Sequence, residues 1–384
     1  MLDFIKEKQD VWQILQLTDK PVVLYGMGNG ADQIIDLCDR MQIKVAGIFA
    51  SDEFVRGQVF RGHMVETYTA VKDRLGDFLI VIAFASESPA VLNRFQELSI
   101  MHETVAPHLP LFPGDETVSF DWLQQHQQEL QQVYDNLADD WSRDVFAASL
   151  NYKLSGKLHY LWQSETERLK DLQSIFSWSE EETYADLGAY NGDTIREFLQ
   201  LTNNKYNRIF AAEPDRRNYK KLSAYVEASG LSDIKIFERA IWKETAELSF
   251  SDSGGRQSTL LTGQRHIVQA VDIDTLLEDE RVTYIKMDVE GAEMEALKGG
   301  KEQIKRNKPK LFIAAYHHDA DIFLLPLFMW QLVPEYKVYL RKHPYVPAWE
   351  LNFLAAVQLR DTKNPIGSKV SYCRLAMECF LNKA

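Results

Sequence analysis

From Thr183 onward short apolar strands alternate with helical segments, and this rhythm constrains the fold more than any other feature of the chain. Strand candidates are TYADLGA (183–189), RIFAAEP (208–214), IKIFERAIW (234–242), VTYIKMDV (282–289), KLFIAAYH (310–317), YKVYLRKH (336–343) and LNFLAAVQL (351–359). Helices fit between most of them, around 192–201, 215–229, 292–306 and 319–332. The last two runs have no helix between them. The pattern predicts an α/β fold with a seven-stranded, mostly parallel sheet and one reversed edge strand. The stretch 243–277 is less regular: an extra strand, ELSFS, a glycine/serine loop, DSGGRQST, and a strand-turn, VQAVDIDTLL.

A smaller alternation precedes it. PVVLYG (21–26) leads through a glycine turn into a helix, followed by VAGIFASD (45–52), FLIVIAFAS (78–86), a helix from about Pro89 to Leu98, and ETVAP (103–107). That describes a small open parallel α/β sheet of Rossmann-like type. Between the two lie a proline-rich hinge, LPLFPGDE, a glutamine-rich amphipathic helix, and helical periodicity interrupted at Gly156, for two or three helices in all. The expected organisation is residues 1–112 as an N-terminal Rossmann-like domain, 113–180 as a helical bridge and 181–384 as the larger α/β domain.

The 384 residues hold 43 Lys/Arg against 56 Asp/Glu, a formal net charge of −13. A chain this acidic, with no basic run, is poorly suited to nucleic acid or an anionic membrane surface. The charge is uneven: residues 1–150 hold 11 Lys/Arg against 23 Asp/Glu, and residues 151–384 hold 32 against 33. The two parts are expected to have separate tasks. Cys38, Cys373 and Cys379 lack CxxC or metal-ligand spacing, which fits a reducing compartment. MLDFIKEKQD shows no signal pattern. The longest apolar stretches, Phe78–Ala85 and Ile322–Val333, fall short of the ~20 residues of a spanning helix. No membrane insertion and a cytoplasmic location are expected. Oligomeric state stays open, a homo-oligomer included.

Three strand ends carry the chemistry. DLGAYNGDT (186–194) joins a strand to a helix, with Gly188 and Gly192 allowing a tight turn and Asp186 and Asp193 placing carboxylates there. Two acids do not suit a phosphate cradle; they suit a ligand with a positive centre and hydroxyls. Glu213 ends the next strand, where an acid can hydrogen-bond a ribose diol. YIKMDVEGAEMEALKGG (284–300) brings Asp288 and Glu290 to the carboxyl end of a strand, while Glu293 and Glu295 read as helix-start acids on a solvated face. AAYHHDAD (314–321) ends the following strand with His317 and His318 on opposite sides, so that one of them can face a cleft. Arg341 and His343 read as surface residues.

In this order, DLGAYNGDTIREF, IFAAEPDRRNYKKL, the QSTL loop, IKMDVEGAEMEALKGG, KPKLFIAAYHHDADIF and PEYKVYLRKH resemble the FkbM-type S-adenosylmethionine-dependent methyltransferases, over about residues 180–360. The resemblance implies a class I methyltransferase fold and O-methylation, often of sugar or polyketide hydroxyls. Carried over by motif, Asp186, Gly188 and Gly192, with Ala189, Tyr190 and Asp193, would lie against the methionine part of the cofactor. Glu213, next to Pro214, would hold the ribose. Ala240 and Ile241, ending the third strand, would border the adenine. Many members carry a glutamate where this chain has Ala314 and Ala315, so the expected base moves to His317, with His318 as fallback and Asp288 as the positioning group. A divalent metal is not indicated by the sequence and is left open. The expected acceptor is a small molecule or carbohydrate.

Gly26, Gly28 and Gly30, followed by Asp52 at the end of the second strand, come close to a dinucleotide-binding fingerprint. A nucleotide or sugar-nucleotide site and a purely structural turn account for them equally well. Two other readings follow: an oxidoreductase using that turn, although no Tyr-Lys or His-acid arrangement accompanies it, and a non-catalytic binding protein with a degenerate methyltransferase core.

Overall fold

The computed structural model describes residues 2–112, 114–251 and 265–357. The QSTL loop, the DSGGRQST stretch, Cys373 and Cys379 lie outside the described residues.

The N-terminal sheet is built from β1 (Val22–Tyr25), β2 (Val45–Ala50), β3 (Val59–Phe60), β4 (His63–Thr67), β5 (Leu79–Ile82) and β6 (Thr104–Val105), in the order β3-β4-β2-β1-β5-β6. All neighbours are parallel except the β3–β4 pair. β1 and β5 are buried at every position, which is why they read as continuous apolar runs. The short β3–β4 pair and the helix Tyr68–Leu75 are additions to the expected layout, and their mixed polar sequences explain why.

The larger domain holds β7 (Thr183–Leu187), β8 (Arg208–Ala212), β9 (Ile234–Phe237), β10 (Ala240–Ile241), β11 (Ala246–Ser251), β12 (Arg265–Val271), β13 (Tyr284–Met287), β14 (Lys310–Ala314), β15 (Lys337–Lys342) and β16 (Leu351–Ala356). Its main sheet runs β15-β16-β14-β13-β7-β8-β9. The reversed strand is not at the edge, as the sequence suggested. β16 lies between β14 and β15, antiparallel to both. The helix Asp321–Leu332 carries the chain beyond β14, and the short link 343–350 returns it into the gap; antiparallel neighbours need no long crossover. The run 234–242 also divides. β9 joins the main sheet, whereas β10 pairs with β12 in a separate small sheet ordered β10-β12-β11.

Five helices fill residues 120–175, more than the two or three expected. The longest, Asp140–Ser155, belongs to both halves. Its Val145, Phe146 and Leu150 join the core of the larger domain, together with Leu2, Phe4 and Ile5 from the start of the chain. Its Tyr152 enters the N-terminal core, where the hydroxyl donates to the Ala106 carbonyl at 2.9 Å. Gly156 ends this helix in the left-handed region at φ +67°. Buried Asp319 accepts from Lys153 Nζ at 2.6 Å and from the Val118 N–H at 3.0 Å, and contacts His108 Nε2 at 2.8 Å, tying the N-terminal part, bridge and larger domain together. Among the described residues no helix is long and apolar enough to cross a membrane.

Candidate active site

Strand order reverses between β7 and β13, and such switch points leave a crevice at the carboxyl ends of the strands. Gly188 leaves β7 at φ +83°, and a Cβ there would stand 1.9 Å from the Asp288 carbonyl oxygen. Only glycine permits that approach. Gly192, at φ +84°, starts the helix Asp193–Leu201, which buries Ile195, Phe198, Leu199 and Leu201. Beneath the turn, Asp186 accepts the Thr194 hydroxyl at 2.6 Å, and Lys286 Nζ sits 3.4 Å from its other oxygen while donating to the Gly188 carbonyl at 2.6 Å. Burial pushes the Asp186 carboxyl up, partly offset by Lys286. Burial pulls Lys286 down, but Asp186 and Asp288 outweigh it and leave the ammonium above its ordinary value. Asp186 therefore holds the turn from below. Lys286, which the sequence did not single out, reaches the cavity wall.

The cavity above has a volume of about 420 Å³. Gly188, Tyr190, Asp193, Glu213, Pro214, Ala240 and Ile241 line one end, and Asp288, Glu290, Tyr316 and His317 the other. Glu213 is buried, and its two carboxylate oxygens accept the N–H groups of Tyr190 at 2.8 Å and Asp215 at 2.9 Å. Burial pushes its pKa up to about 7 against the pull of those two donors. Ala240 and Ile241 reach the cavity from the small sheet, not from the end of the third strand. Ala189 and Gly192 support the turn without lining the cavity.

At the other end Tyr316 Oη donates to Asp288, 3.1 Å from Oδ1 and 3.3 Å from Oδ2. His317 is buried with Nδ1 3.0 Å from Glu293 Oε1, and Nε2 3.5 Å from Glu290 Oε2 and 3.7 Å from Asp288 Oδ1. Burial pulls the imidazole down, but Glu293, Glu290 and Asp288 outweigh it and hold its pKa well above the ordinary histidine range. The structure sets His317 among three carboxylates, an ion-pairing position in place of the free base expected. His318 points away, with Nδ1 2.6 Å from Asp115, Nε2 3.1 Å from the Gly291 carbonyl, and its ring stacked on Phe112. It does not serve as the fallback base.

Three further expectations change. Glu293 is fully buried against His317 instead of solvated. Arg341 is buried between Asp139 and Asp171. His343 is buried, contacts Asp171 at 3.2 Å and lines the cavity. The rim also draws on parts distant in sequence: Glu87 from the N-terminal domain, Arg168 from the bridge, and Tyr345 and Trp349 from the β15–β16 link. Two backbone hydrogen bonds between Ser86 and Val346, of 2.8 and 3.0 Å, fasten the N-terminal domain to that link.

The N-terminal glycine turn differs. A Cβ on Gly26 would lie 2.4 Å from the Phe84 ring, and one on Gly30 2.5 Å from the Ala83 carbonyl oxygen. Gly28 has φ +120° with no atom within 4 Å of a Cβ. Asp52 is exposed and starts a short 3-10 helix after β2.

Strand order and cavity define a methyltransferase-type α/β fold. Residues 186–346 match the family described as the methyltransferase FkbM domain. The crystal structure of methyltransferase FkbM from Methylobacillus flagellatus KT shares the fold, with a TM-score of 0.69 at 21% identity over 92% of this chain and 94% of that one. An rRNA methylase from Streptococcus thermophilus (TM-score 0.33, 11% identity, 49% of this chain and 92% of that one) and a precorrin-6y C5,15-methyltransferase from Geobacter metallireducens GS-15 (0.31, 12%, 50% and 92%) are too distant to bear on it. None of the curated proteins matches.

Proposed function

We propose that the protein is an S-adenosylmethionine-dependent O-methyltransferase acting on a hydroxyl of a carbohydrate or related glycan precursor. The observation that carries this is the single cavity wall joining the Gly188 turn and Glu213 to a second, acid- and aromatic-lined end. The residues fit the cofactor. Glu213 keeps acceptor capacity beyond its two backbone donors, enough for a ribose diol. Ala240 and Ile241 offer an apolar wall, and Asp193 and Asp288 suit a positive centre. Bound there, S-adenosylmethionine would supply a methyl group already activated on its sulfonium.

The chain's own work is to hold the acceptor and take its proton. Asp288, fixed by Tyr316, is placed to orient a hydroxyl. Glu290, at the cavity wall with His317 behind it, is the carboxylate we assign as proton acceptor. Tyr345 and Trp349, with ring centroids 5.3 Å apart, give an aromatic rim suited to the apolar face of a sugar. We assign acceptor recognition to the N-terminal domain, a reading supported by Glu87 at the cavity rim and by the Ser86–Val346 pairing.

Calorimetry with S-adenosylmethionine on the full chain tests the reading. Glu213→Ala should weaken binding by about 1–3 kcal/mol, the range for a charged hydrogen bond lost at a buried site. Unchanged affinity removes the ribose assignment. With the acceptor in hand, Glu290→Gln should lower turnover about 10²–10⁴-fold at constant cofactor affinity.

A further inference from the structure

We infer that Asp288, Glu293 and His317 form a site for one divalent cation at the acceptor end of the cavity. The catalytic consequence of this site rests on the methyltransferase reading; the site itself does not. The three side chains come from separate elements: Asp288 just beyond β13, Glu293 at the start of the helix Glu293–Gly299, and His317 beyond β14. One ligand atom from each lies within 4.8 Å of the others. One imidazole and two carboxylates make a nitrogen–oxygen donor set that suits Mn²⁺ and its neighbours in the first-row series.

A second observation points the same way. Glu293 Oε2 and both ring nitrogens of His317 are buried and have no hydrogen-bond partner among the described residues. The 3.0 Å approach of Nδ1 to Glu293 is close enough for an ion pair but misaligned for a hydrogen bond. Buried polar atoms left without a partner are costly, and coordination of one ion would use one of the two ring nitrogens and a Glu293 carboxylate oxygen. The surrounding bonds already fix the ligands. The Val289 N–H donates to Glu293 Oε1 at 2.9 Å, and Tyr316 Oη holds Asp288. Glu290, 3.5 Å from His317 Nε2, supplies a carboxylate beside the imidazole, as outer-shell partners of metal-bound histidines do.

Charge agrees with geometry. Asp288, Glu290 and Glu293 converge on one imidazole, and a divalent ion among them would balance their clustered carboxylates. Asp288 and His317 line the cavity, whereas Glu293 closes the site from behind. An ion held there keeps open positions toward the acceptor. It would chelate neighbouring hydroxyls and make the one to be methylated easier to deprotonate, next to Glu290.

The test is a Mn²⁺ titration of the full chain followed by electron paramagnetic resonance, in which bound ion leaves the free-ion signal. One ion per chain is expected, and Asp288→Asn and His317→Gln should each weaken it at least about tenfold, the lower bound for disturbing even an outer-shell partner. Asp288 is part-exposed, so its variant carries the comparison should the His317 variant fail to fold. Absence of a stoichiometric ion, or retention unchanged in Asp288→Asn, overturns the site. S-adenosylmethionine calorimetry on the same samples, with and without chelator, keeps the two readings apart. Cofactor binding without Mn²⁺ binding removes the metal alone. Mn²⁺ binding without cofactor binding leaves the metal site and removes the methyltransferase reading.

Discussion

The chain makes the same local structure twice and uses it differently. At residues 26–31 and at 188–194 a buried parallel strand ends in a positive-φ glycine, turns, and opens a helix. Around Gly188 the space below is taken by the Asp288 carbonyl, and the space above is cavity. Around Gly26 the available room is filled by the chain's own Phe84. The acid after the second strand also differs: Glu213 is buried and receives two N–H groups, whereas Asp52 is exposed. Glycine spacing specifies a backbone path. Whether a ligand can enter is decided by side chains from other elements. The segment that closes the first turn also serves the second, because Ser86 and Glu87, just beyond Phe84, reach the β15–β16 link and the cavity.

The comparison breaks most sharply at the glycines themselves. Gly188→Ala puts a methyl against a backbone carbonyl that cannot rotate away, in a strained conformation. It should cost about 3–5 kcal/mol in urea unfolding and abolish measurable cofactor binding. Gly28→Ala meets backbone strain alone and should cost about 1–3 kcal/mol with cofactor affinity intact. Equal losses of affinity in the two variants would show that the turns are not functionally distinct.

Next in size is Phe84→Ala. The ring is part-buried, stands edge-on to Tyr25 at 5.1 Å between centroids and covers Gly26. Its removal should cost about 2–3 kcal/mol, below the range for a fully buried phenylalanine. Fluorescence titration with NADH or ADP should show no binding to the native chain. Binding to the native chain would restore the N-terminal turn as a nucleotide site.

The order of strands and helices was legible because buried parallel strands are written as apolar runs, and Gly188, Glu213 and Asp288 could be placed at strand ends. What stayed hidden depends on neighbours distant in sequence. Glu293 looks like an ordinary helix-start acid until His317 is brought against it from the next strand. His343 and Arg341 look exposed until Asp171 of the bridge covers them. Lys286 is hidden for another reason: in a strand buried on both faces, alternation carries no information about which side chain meets a carboxylate. The reversed strand was misplaced because the sequence shows that a link is short but not on which side of β15 it returns.

The effect that depends on pH concerns Glu213, and it has no counterpart at exposed Asp52. Burial lifts the Glu213 pKa to about 7; the N–H groups of Asp215 and Tyr190 and the charge of Lys286 pull it down, while the Asp215 carboxylate pushes it up. The unfolded value is near 4.3. As pH rises from about 4 to 7 the unfolded chain releases this proton while the folded chain keeps it. The group therefore removes stability over that interval, by an amount on the order of 3 kcal/mol when complete. Glu213→Gln abolishes the slope, so its unfolding midpoint should gain on the native chain between pH 5 and pH 8. Cofactor binding carries the opposite sign. A ribose diol needs the carboxylate as acceptor, and with a pKa of about 7 only about a tenth of the protein is ionised at pH 6 against about nine-tenths at pH 8. Affinity for S-adenosylmethionine should therefore rise about tenfold between those values in the native chain and stay flat in Glu213→Gln. A native profile as flat as that of the variant would mean that Glu213 ionises at its ordinary value and that the two turns do not differ electrostatically in the way their burial suggests.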